Sequence, residues 1–336
     1  MSKVLVTGGA GYIGAHVAAE LLKSGYGIRI YDDFSNGLHR RVDGKFRDIV
    51  DGDMLDRVKL LAALDGIDAV IHLAAKKAVE ESVKDPLKYY ENNVGGSLNL
   101  LGAMAAKGVK QLVYSSSAAV YSPNDKEAVL EDDPTAPLSP YGASKLLAEQ
   151  LISSVGSAEQ ISNISLRYFN VVGSNIAEFG DNSKDNLVPK VFLALKNGKR
   201  PQIYGSDYPT PDGTCIRDYI HVCDLADAHV LGLERLVALQ ANPQASVQPL
   251  IYNLGNGTGY SVQQVIETAK AVTGCGLLAH VAPRRDGDPA VLVASAEHAF
   301  TDLGWKPRYP DLTVIIEHAW RWHRLRHLGH SPSAAA

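Results

Sequence analysis

The sequence has little of what marks secreted, membrane-spanning or nucleic-acid-binding proteins. Its three cysteines (Cys215, Cys223 and Cys275) are odd in number and lack paired C-x-x-C spacing, which argues against disulfides and structural zinc. No apolar run is long enough to cross a bilayer, and Met1 leads into a strand-like segment instead of a signal peptide. The net charge of −4 offers no basic surface to nucleic acid or anionic lipid. We therefore expect a cytoplasmic protein with no metal, nucleic-acid or membrane partner.

What is present begins at the amino terminus, where a strand-like run leads into a glycine-rich turn. The run Lys3–Thr7, which is rich in β-branched residues, predicts a buried parallel strand. Gly8, Gly11 and Gly14 follow, and an apolar-periodic segment from 16 to 23 predicts a helix. Such a turn lets the backbone approach a diphosphate, while the helix directs free N–H groups at the phosphates. A glycine-rich turn without a ligand is the alternative.

A second strand strengthens the dinucleotide interpretation. Residues 28–31 predict this strand, and Asp32 ends it. A carboxylate at that position accepts hydrogen bonds from a ribose diol and repels a 2′-phosphate. The pattern therefore favours NAD over NADP.

Strand-like and helix-like segments alternate along the first half of the chain. Residues 68–73, 111–117 and 164–169 predict further buried strands, and 92–106 and 141–153 predict helices. This alternation is typical of an α/β fold with a doubly wound parallel sheet, the Rossmann type. In such sheets, ligands bind beyond the carboxyl ends of the strands.

Beyond residue 170 the pattern becomes irregular, with Gly, Asn, Asp and Pro clusters around 173–186, 205–213 and 283–289. We expect a Rossmann domain over 1–169. A smaller, loop-rich substrate domain should cover 170–330, with some of its segments returning to the first domain. The tail from 331 to 336 should be disordered.

Tyr141 and Lys145 form the most informative pair. Residues four apart share one helix face, and Ser139 and Pro140 predict that the helix begins there, as N-cap and first residue. A cation beside a phenol lowers its pKa, so the pair predicts a tyrosine base. A surface aromatic residue followed by a solvated lysine is the alternative.

With Ser117 added, these residues resemble the extended short-chain dehydrogenase/reductase family, and within it the branch that epimerises UDP-sugars at C4. The resemblance runs from residue 4 to about 322. It rests on the segments DAVIHLAA (68–75), SVKDPLKYYENN (82–93), SSSAAVY (115–121), LRYFN (166–170), DGTCIRDYIHV (212–222) and IYNLG (251–255).

The resemblance implies that NAD is held tightly by residues from the whole first half. Those expected on its adenosine side are Tyr12, Ile13, Asp32, Asp33, Phe34, Ser35, Asn36, Gly37, Asp53 and Met54. Those expected at the diphosphate and the nicotinamide riboside are Gly8, Gly11, Gly14, Leu73, Ala74, Ala75, Lys76, Lys77, Asn92, Ser117, Tyr141, Lys145 and Phe169.

The resemblance also implies a reaction: reversible epimerisation of UDP-galactose and UDP-glucose through a transient 4-keto sugar. Tyr141 would take the 4-hydroxyl proton while hydride passes to NAD, and Ser117 would position that hydroxyl. The residues expected to contact the UDP-sugar are Ser117, Tyr141, Asn170, Asn186, Leu187, Gln202, Ile203, Tyr204, Arg217, Arg285, Asp286, Gly287, Asp288 and Leu292.

Other functions remain open at this point. UDP-N-acetylglucosamine or a UDP-pentose could be the substrate, and Leu292 stands where the family has a residue against the 2-substituent of the sugar. A 4,6-dehydratase would need a carboxylate pair after Ser117, where the chain has Ala118 and Ala119. A non-catalytic NAD sensor would not need Tyr141. Helices around 92–106 and 141–153 resemble those that pair in family homodimers.

Overall fold

The computed structural model describes residues 2–122, 126–241, 249–285 and 288–328. The tail predicted to be disordered, 331–336, therefore lies outside the described residues. The strands are β1 (Lys3–Thr7), β2 (Gly27–Asp32), β3 (Ile49–Asp51), β4 (Ala69–His72), β5 (Gln111–Ser115), β6 (Ser162–Tyr168), β7 (Asn170–Val172), β8 (Gln202–Tyr204), β9 (Ile216–His221), β10 (Leu250–Leu254), β11 (Gly259–Ser261), β12 (His280–Ala282) and β13 (Val291–Leu292).

Helices lie between most of the strands. They are α1 (Tyr12–Lys23), α2 (His39–Val42), α3 (Arg57–Ala63), α4 (Val79–Lys84), α5 (Pro86–Tyr89), α6 (Gly96–Lys107), α7 (Pro140–Glu159), α8 (Leu187–Lys196), α9 (Val222–Gln240), α10 (Val262–Thr273), α11 (Glu297–Leu303) and α12 (Leu312–Leu328). A π-helical turn over Tyr90–Gly95 leads into α6, and single 3₁₀ turns cover Ala118–Val120 and Ala177–Phe179. Within the described chain, no helix is both long and apolar enough to cross a membrane.

The predicted parallel sheet is confirmed. Seven strands pair in the order β10-β6-β5-β4-β1-β2-β3, and every pairing is parallel. The order reverses beside β1, which makes the sheet doubly wound. Both faces are buried: Val4 and Val6 of β1 belong to one apolar cluster with Leu21 and Leu233, whereas Leu5 belongs to another. Such two-sided burial explains why the strand reads as a continuous apolar run.

The ends of two helices and one strand can be compared with the sequence prediction. Helix α1 begins at Tyr12, before the predicted 16, because Gly11 already adopts the extended N-cap conformation. Helix α7 begins as predicted, with the Ser139 hydroxyl accepting from Gly142 N at 3.2 Å. The strand predicted over 111–117 stops at Ser115 because Ser117 caps the 3₁₀ turn that follows.

Beyond residue 170 the chain forms a second, smaller layer. Strand β9 pairs with β7, β11 and β13, and β8 pairs with β12. Helices α8, α10 and α12 enclose a separate apolar core that includes Phe192, Ile266 and Ile315. Strand β10 does not belong to this layer, because it completes the edge of the seven-stranded sheet beside β6, and α9 packs against β5 and β6.

Candidate active site

A cavity of about 970 Å³ lies at the carboxyl ends of the parallel strands, between the seven-stranded sheet and the second layer. It receives residues from both. The predicted site residues that line it are Gly8, Gly11, Tyr12, Ile13, Gly14, Asp32, Asp33, Ser35, Asn36, Gly37, Met54, Leu73, Ala74, Ala75, Lys76, Lys77, Asn92, Ser117, Tyr141, Lys145, Phe169, Asn170, Asn186, Leu187, Arg217, Asp288 and Leu292.

The glycine turn is packed so closely that side chains are excluded from it. Gly8 has φ +70°, and a Cβ there would lie 2.7 Å from the backbone nitrogen of Ala74. A Cβ at Gly14 would collide with the carbonyl oxygen of Gly8. No side chain caps α1, and its first backbone bond runs from Ala15 N to Gly11 O at 3.1 Å. The first-turn N–H groups at the cavity wall therefore fit a dinucleotide diphosphate.

Asp32 ends β2 at the other side of this turn. Its two carboxylate oxygens accept hydrogen bonds from Ala10 N and Phe34 N, both at 2.9 Å. Burial raises the pKa of this carboxyl, and the two backbone donors oppose the rise. Each carboxylate oxygen can accept more than one bond, so Asp32 fits a ribose diol while it fixes the turn. This arrangement fits NAD.

Lys76 lies on the loop after β4 and reaches back to the segment after β2. Its ammonium donates to Ser35 Oγ at 2.8 Å and lies 3.6 Å from Asp33. The loop itself is held by Asn93, whose side chain bonds both the N–H and the carbonyl of Lys76 and also Ser144 of α7. The sequence prediction named Asn92 and missed Asn93, whose role depends on a contact between elements distant in the chain.

Tyr141 lies in the first turn of α7 and is 8% exposed. Its hydroxyl lies near the Ser117 hydroxyl, which favours the ionised form of the phenol, and both residues line the cavity. A Cβ at Gly142 would collide with the carbonyl oxygen of Ala119. The missing side chain lets α7 approach this turn closely, and that approach brings Tyr141 to Ser117.

Lys145 lies one turn further along α7 and is 2% exposed. Its ammonium donates to the carbonyl of Ser115 at 2.8 Å and lies 5.0 Å from the centre of the Tyr114 ring. Burial lowers the pKa of Lys145 to about 7, although the charge of Glu149 opposes the effect. Burial therefore makes this ammonium lose its proton more readily than an exposed lysine.

Burial also affects the predicted tyrosine base. It raises the pKa of the Tyr141 phenol, and the neighbouring Ser117 hydroxyl opposes the rise. The cause of the rise is desolvation, which disfavours the charged form of both side chains. In the protein on its own the pKa of Tyr141 therefore lies above its usual value, and a phenol activated by Lys145 together with the nicotinamide cation stays a prediction.

Residues of the second layer form the opposite wall. Asn186 is the N-cap residue of α8 and makes no side-chain cap bond. The guanidinium of Arg217 on β9 lies 3.6 Å from Asp288. Leu292 on β13 packs against an apolar cluster that includes Ala118, Val120, Tyr121 and Phe169. This wall combines a cation, a helix N-terminus and an apolar surface.

The remaining predicted residues that the structure describes are not among those that line this cavity. Phe34 stacks on His39 with centroids 4.0 Å apart, Asp53 accepts from Leu55 N, and Ile203 is buried in the second core. Gln202 and Tyr204 share a hydrogen bond on β8. Arg285 lies 4.9 Å from the Tyr204 ring and pairs with Asp288 and Glu80. Asp286 and Gly287 lie outside the described residues.

The cavity is also lined by residues that the sequence prediction did not name. They include Tyr121, Tyr168, Tyr219 and the segment 181–185. The polar cluster around 173–186 predicts a loop, but it does not reveal that this loop lines the cavity. Arg41 is fully buried and donates to Gly180 O at 2.6 Å, which ties this segment to the cofactor side.

Comparisons with known proteins agree with this geometry. The profile of the NAD dependent epimerase/dehydratase family matches residues 4–255. The chain is 46% identical over 321 residues to UDP-glucose 4-epimerase of Corynebacterium glutamicum, covering 95% of this chain and 94% of that protein. It is 44% identical to UDP-glucose 4-epimerase of Halalkalibacterium halodurans, covering 98% and 97%.

A solved structure is similar over its whole length. UDP-glucose 4-epimerase from Stenotrophomonas maltophila, with bound NAD and formylated UDP-arabinopyranose, superimposes with a TM-score of 0.90. The two sequences are 41% identical, and the match covers 98% of this chain and 100% of that one.

Proposed function

The chain belongs to the NAD-dependent epimerase/dehydratase family, and we propose that it interconverts UDP-galactose and UDP-glucose by epimerisation at C4, through a transient 4-keto sugar. The observation that carries this proposal is that Ser117 and Tyr141 lie together on the cavity wall, with Lys145 one helical turn away. The same cavity reaches Asp32 and the glycine turn at one end and Arg217 at the other. A UDP-sugar whose diphosphate is bound near Arg217 can therefore place its 4-hydroxyl next to a dinucleotide bound at the glycine turn.

NAD is the cofactor. The glycine turn with α1 would hold its diphosphate, Asp32 its adenosine ribose, and Tyr141 with Lys145 its nicotinamide ribose. When bound, NAD supplies a hydride acceptor that gives the hydride back, together with a positive ring that lowers the pKa of a nearby phenol.

The side chains of the chain carry out the proton transfer and the positioning. Ser117 orients the 4-hydroxyl of the sugar, and Tyr141 accepts its proton and later returns it. The ammonium of Lys145 stabilises the phenolate in proportion to its own protonation. Arg217 and the free N–H groups at the start of α8, next to Asn186, bind the UDP diphosphate, because an arginine fork and a helix N-terminus both suit phosphate oxygens.

The decisive experiment uses the purified protein without added cofactor. We expect it to carry NAD and to convert UDP-galactose to UDP-glucose, measured by chromatography, with no net change in nicotinamide absorbance. Supplying NAD to stripped protein should restore activity. Protein that stays inactive after NAD is supplied would refute the proposal.

A second candidate reaction is 4-epimerisation of UDP-N-acetylglucosamine. Leu292 favours it as a minor activity, because leucine leaves more room at the cavity wall than tyrosine and less than glycine. Elimination of water is disfavoured, since Ala118 and Ala119 follow Ser117 and neither can act as an acid or base. Assaying both UDP-sugar pairs in parallel decides between the two substrates.

We further propose that the protein is a homodimer. Leu98 on α6 and Leu147 on α7 are 53% and 41% exposed, and the two helices pack side by side. Pairing these helices with their copies would bury both leucines. Light scattering should give a dimer mass for the wild type and a monomer mass for Leu98→Asp/Leu147→Asp. Leu193→Asp on α8, where the leucine is 46% exposed, is the matched control and should stay dimeric.

The three cysteines carry no disulfide, and two of them are buried. This supports a location in the cytoplasm, where thiols stay reduced. Cell fractionation followed by immunoblotting tests it, and recovery outside the cytoplasmic fraction would refute it.

A further inference from the structure

Three consecutive serines at the end of β5 each lie next to a residue of α7. Lys145 donates to the carbonyl of Ser115 at 2.8 Å, the Ser116 hydroxyl donates to Glu149, and the Ser117 hydroxyl lies near Tyr141. The three partners on α7 are four residues apart, so they form one stripe along the helix. The contacts of Lys145 and Tyr141 belong to the reaction already described. The contact between Ser116 and Glu149 has no role in that reaction so far.

Glu149 is a buried carboxylate with a full set of partners. It is 7% exposed, and Arg167 of β6 binds it through two nitrogens, at 2.7 and 3.0 Å. Arg167 also donates to the Tyr121 hydroxyl at 3.1 Å and to the carbonyl of Glu131 at 3.0 Å. A buried ion pair is weak evidence for stability, because desolvation offsets most of the attraction. The pair therefore invites a functional explanation.

The position of Glu149 suits an electrostatic role toward Lys145. Both side chains lie on one helix face, away from water, where charges interact over longer distances than in solvent. Glu149 is the anion that raises the pKa of Lys145 against the effect of burial.

The described titratable groups around the lysine, other than Glu149 and Arg167, carry no charge near neutral pH. Burial raises the pKa of the phenols and lowers the pKa of the histidines to about 3 and about 4; these residues are Tyr141 on α7, Tyr114 on β5, Tyr168 on β6, His72 on β4 and His229 on α9, which is bonded to the Ser115 hydroxyl. Among the described residues, Glu149 is the charged group that acts on the Lys145 pKa, and Arg167 is its ion-pair partner.

We propose that Glu149 is a positioning residue of the reaction: its charge keeps Lys145 protonated, and its bond to Ser116 fixes the backbone that presents Ser117 to Tyr141. The inference rests on the proposed function. It predicts that the alkaline limb of the pH–activity profile reports the loss of the Lys145 proton.

The test compares the pH dependence of kcat in four variants. Glu149→Gln keeps the hydrogen bond to Ser116 and removes the charge, so the alkaline limb should shift to lower pH by about one unit. Glu149→Gln/Arg167→Gln removes both buried charges and should move the limb in the same direction. Arg167→Lys keeps both charges and should leave the limb in place. Ser116→Ala should lower kcat several-fold at all pH values without moving the limb.

A second readout does not depend on catalysis. Isotopic labelling of lysine, with the Lys145 resonance identified by its loss in Lys145→Arg, gives the titration of this side chain by NMR. The pKa of Lys145 measured in this way should be lower in both Glu149 variants than in the wild type, whether or not the wild type epimerises UDP-galactose. Thermal melting and NAD content establish that each variant is folded.

Three outcomes would overturn the inference. One is an unmoved lysine titration in the Glu149 variants that fold. Another is an equal shift in Arg167→Lys. The third is a wild-type Lys145 that is already neutral at about pH 6, where buried lysines without a supporting anion titrate. Loss of activity in the wild type would instead contradict the proposed function.

Discussion

The sharpest consequence of the cavity geometry concerns Leu292 and the choice of sugar. Leu292 is partly buried on β13, in register with Arg217 on β9. It packs against the cluster that includes Phe169 and lines the same cavity as Ser117 and Tyr141. We infer that a sugar whose C4 reaches Tyr141 places other ring substituents near this leucine. We predict that Leu292→Gly admits an N-acetyl group at C2.

The size of the effect follows from the volume exchanged. The leucine side chain has four carbon atoms, and an acetamide adds about the same number of heavy atoms. Excluding such a group by packing is worth about 1–3 kcal/mol. At about 1.4 kcal/mol per factor of ten, kcat/KM for UDP-N-acetylglucosamine relative to UDP-glucose should rise about 10- to 100-fold in Leu292→Gly. In Leu292→Tyr the same ratio should fall by about tenfold, because a larger side chain overpacks the site.

The assay is a direct competition of both UDP-sugars, followed by chromatography of the products. Val291→Gly is the matched control, because Val291 is the neighbouring residue of the same strand and does not line the cavity. It makes the same backbone more flexible and should leave the ratio unchanged. An unchanged ratio in Leu292→Gly, or an equal rise in Val291→Gly, would refute the reasoning.

Three further predictions test the site and the fold. Tyr141→Phe should lose at least about 10²–10⁴ in kcat while retaining NAD; chromatography with measured NAD content checks this, and more than about a tenth of the wild-type rate would contradict it. Gly14→Ala should lose NAD, because its Cβ collides with the carbonyl oxygen of Gly8, and the absorbance ratio of the purified protein measures the loss. The free energy of unfolding should fall as the pH drops from about 6.5 toward 4, by up to about 1.4 kcal/mol per pH unit for each buried histidine that takes up a proton only on unfolding. Burial lowers the pKa to about 3 or 4 in four such residues: His16, His72, His221 and His229. Urea midpoints across this range check the sign, and midpoints that rise on acidification would contradict it.

The sequence predicted those parts of the site that local chemistry determines. The glycine turn, Asp32 at the end of a strand and the capped start of α7 each depend on residues within about ten positions of one another, so their patterns are visible. Contacts between distant elements carry no such pattern. The Glu149–Arg167 pair joins α7 to β6, and Asn93 joins the loop after β4 to α7.

The same reasoning explains what residue spacing could not predict. The pKa of Tyr141 depends on how deeply the phenol is buried, which residue spacing does not reveal. Whether Phe34, Asp53 and Ile203 line the cavity depends on how neighbouring elements turn. The resemblance to a family supplied these residues as ranges, whereas packing decides residue by residue which of them line the cavity.

The place of β10 at the edge of the seven-stranded sheet determines when during synthesis the protein can fold. A nascent chain that has emerged only to residue 170 presents β6 as an unpaired parallel edge and lacks the α9 cover over β5 and β6. Such an edge recruits other strands, and pairings across long sequence separations form slowly. We therefore expect the seven-stranded sheet to be completed only after the chain has been synthesised beyond Leu254. A fragment that ends near 170 should therefore aggregate. Co-expression of residues 171–336 should leave most of this fragment in the insoluble fraction.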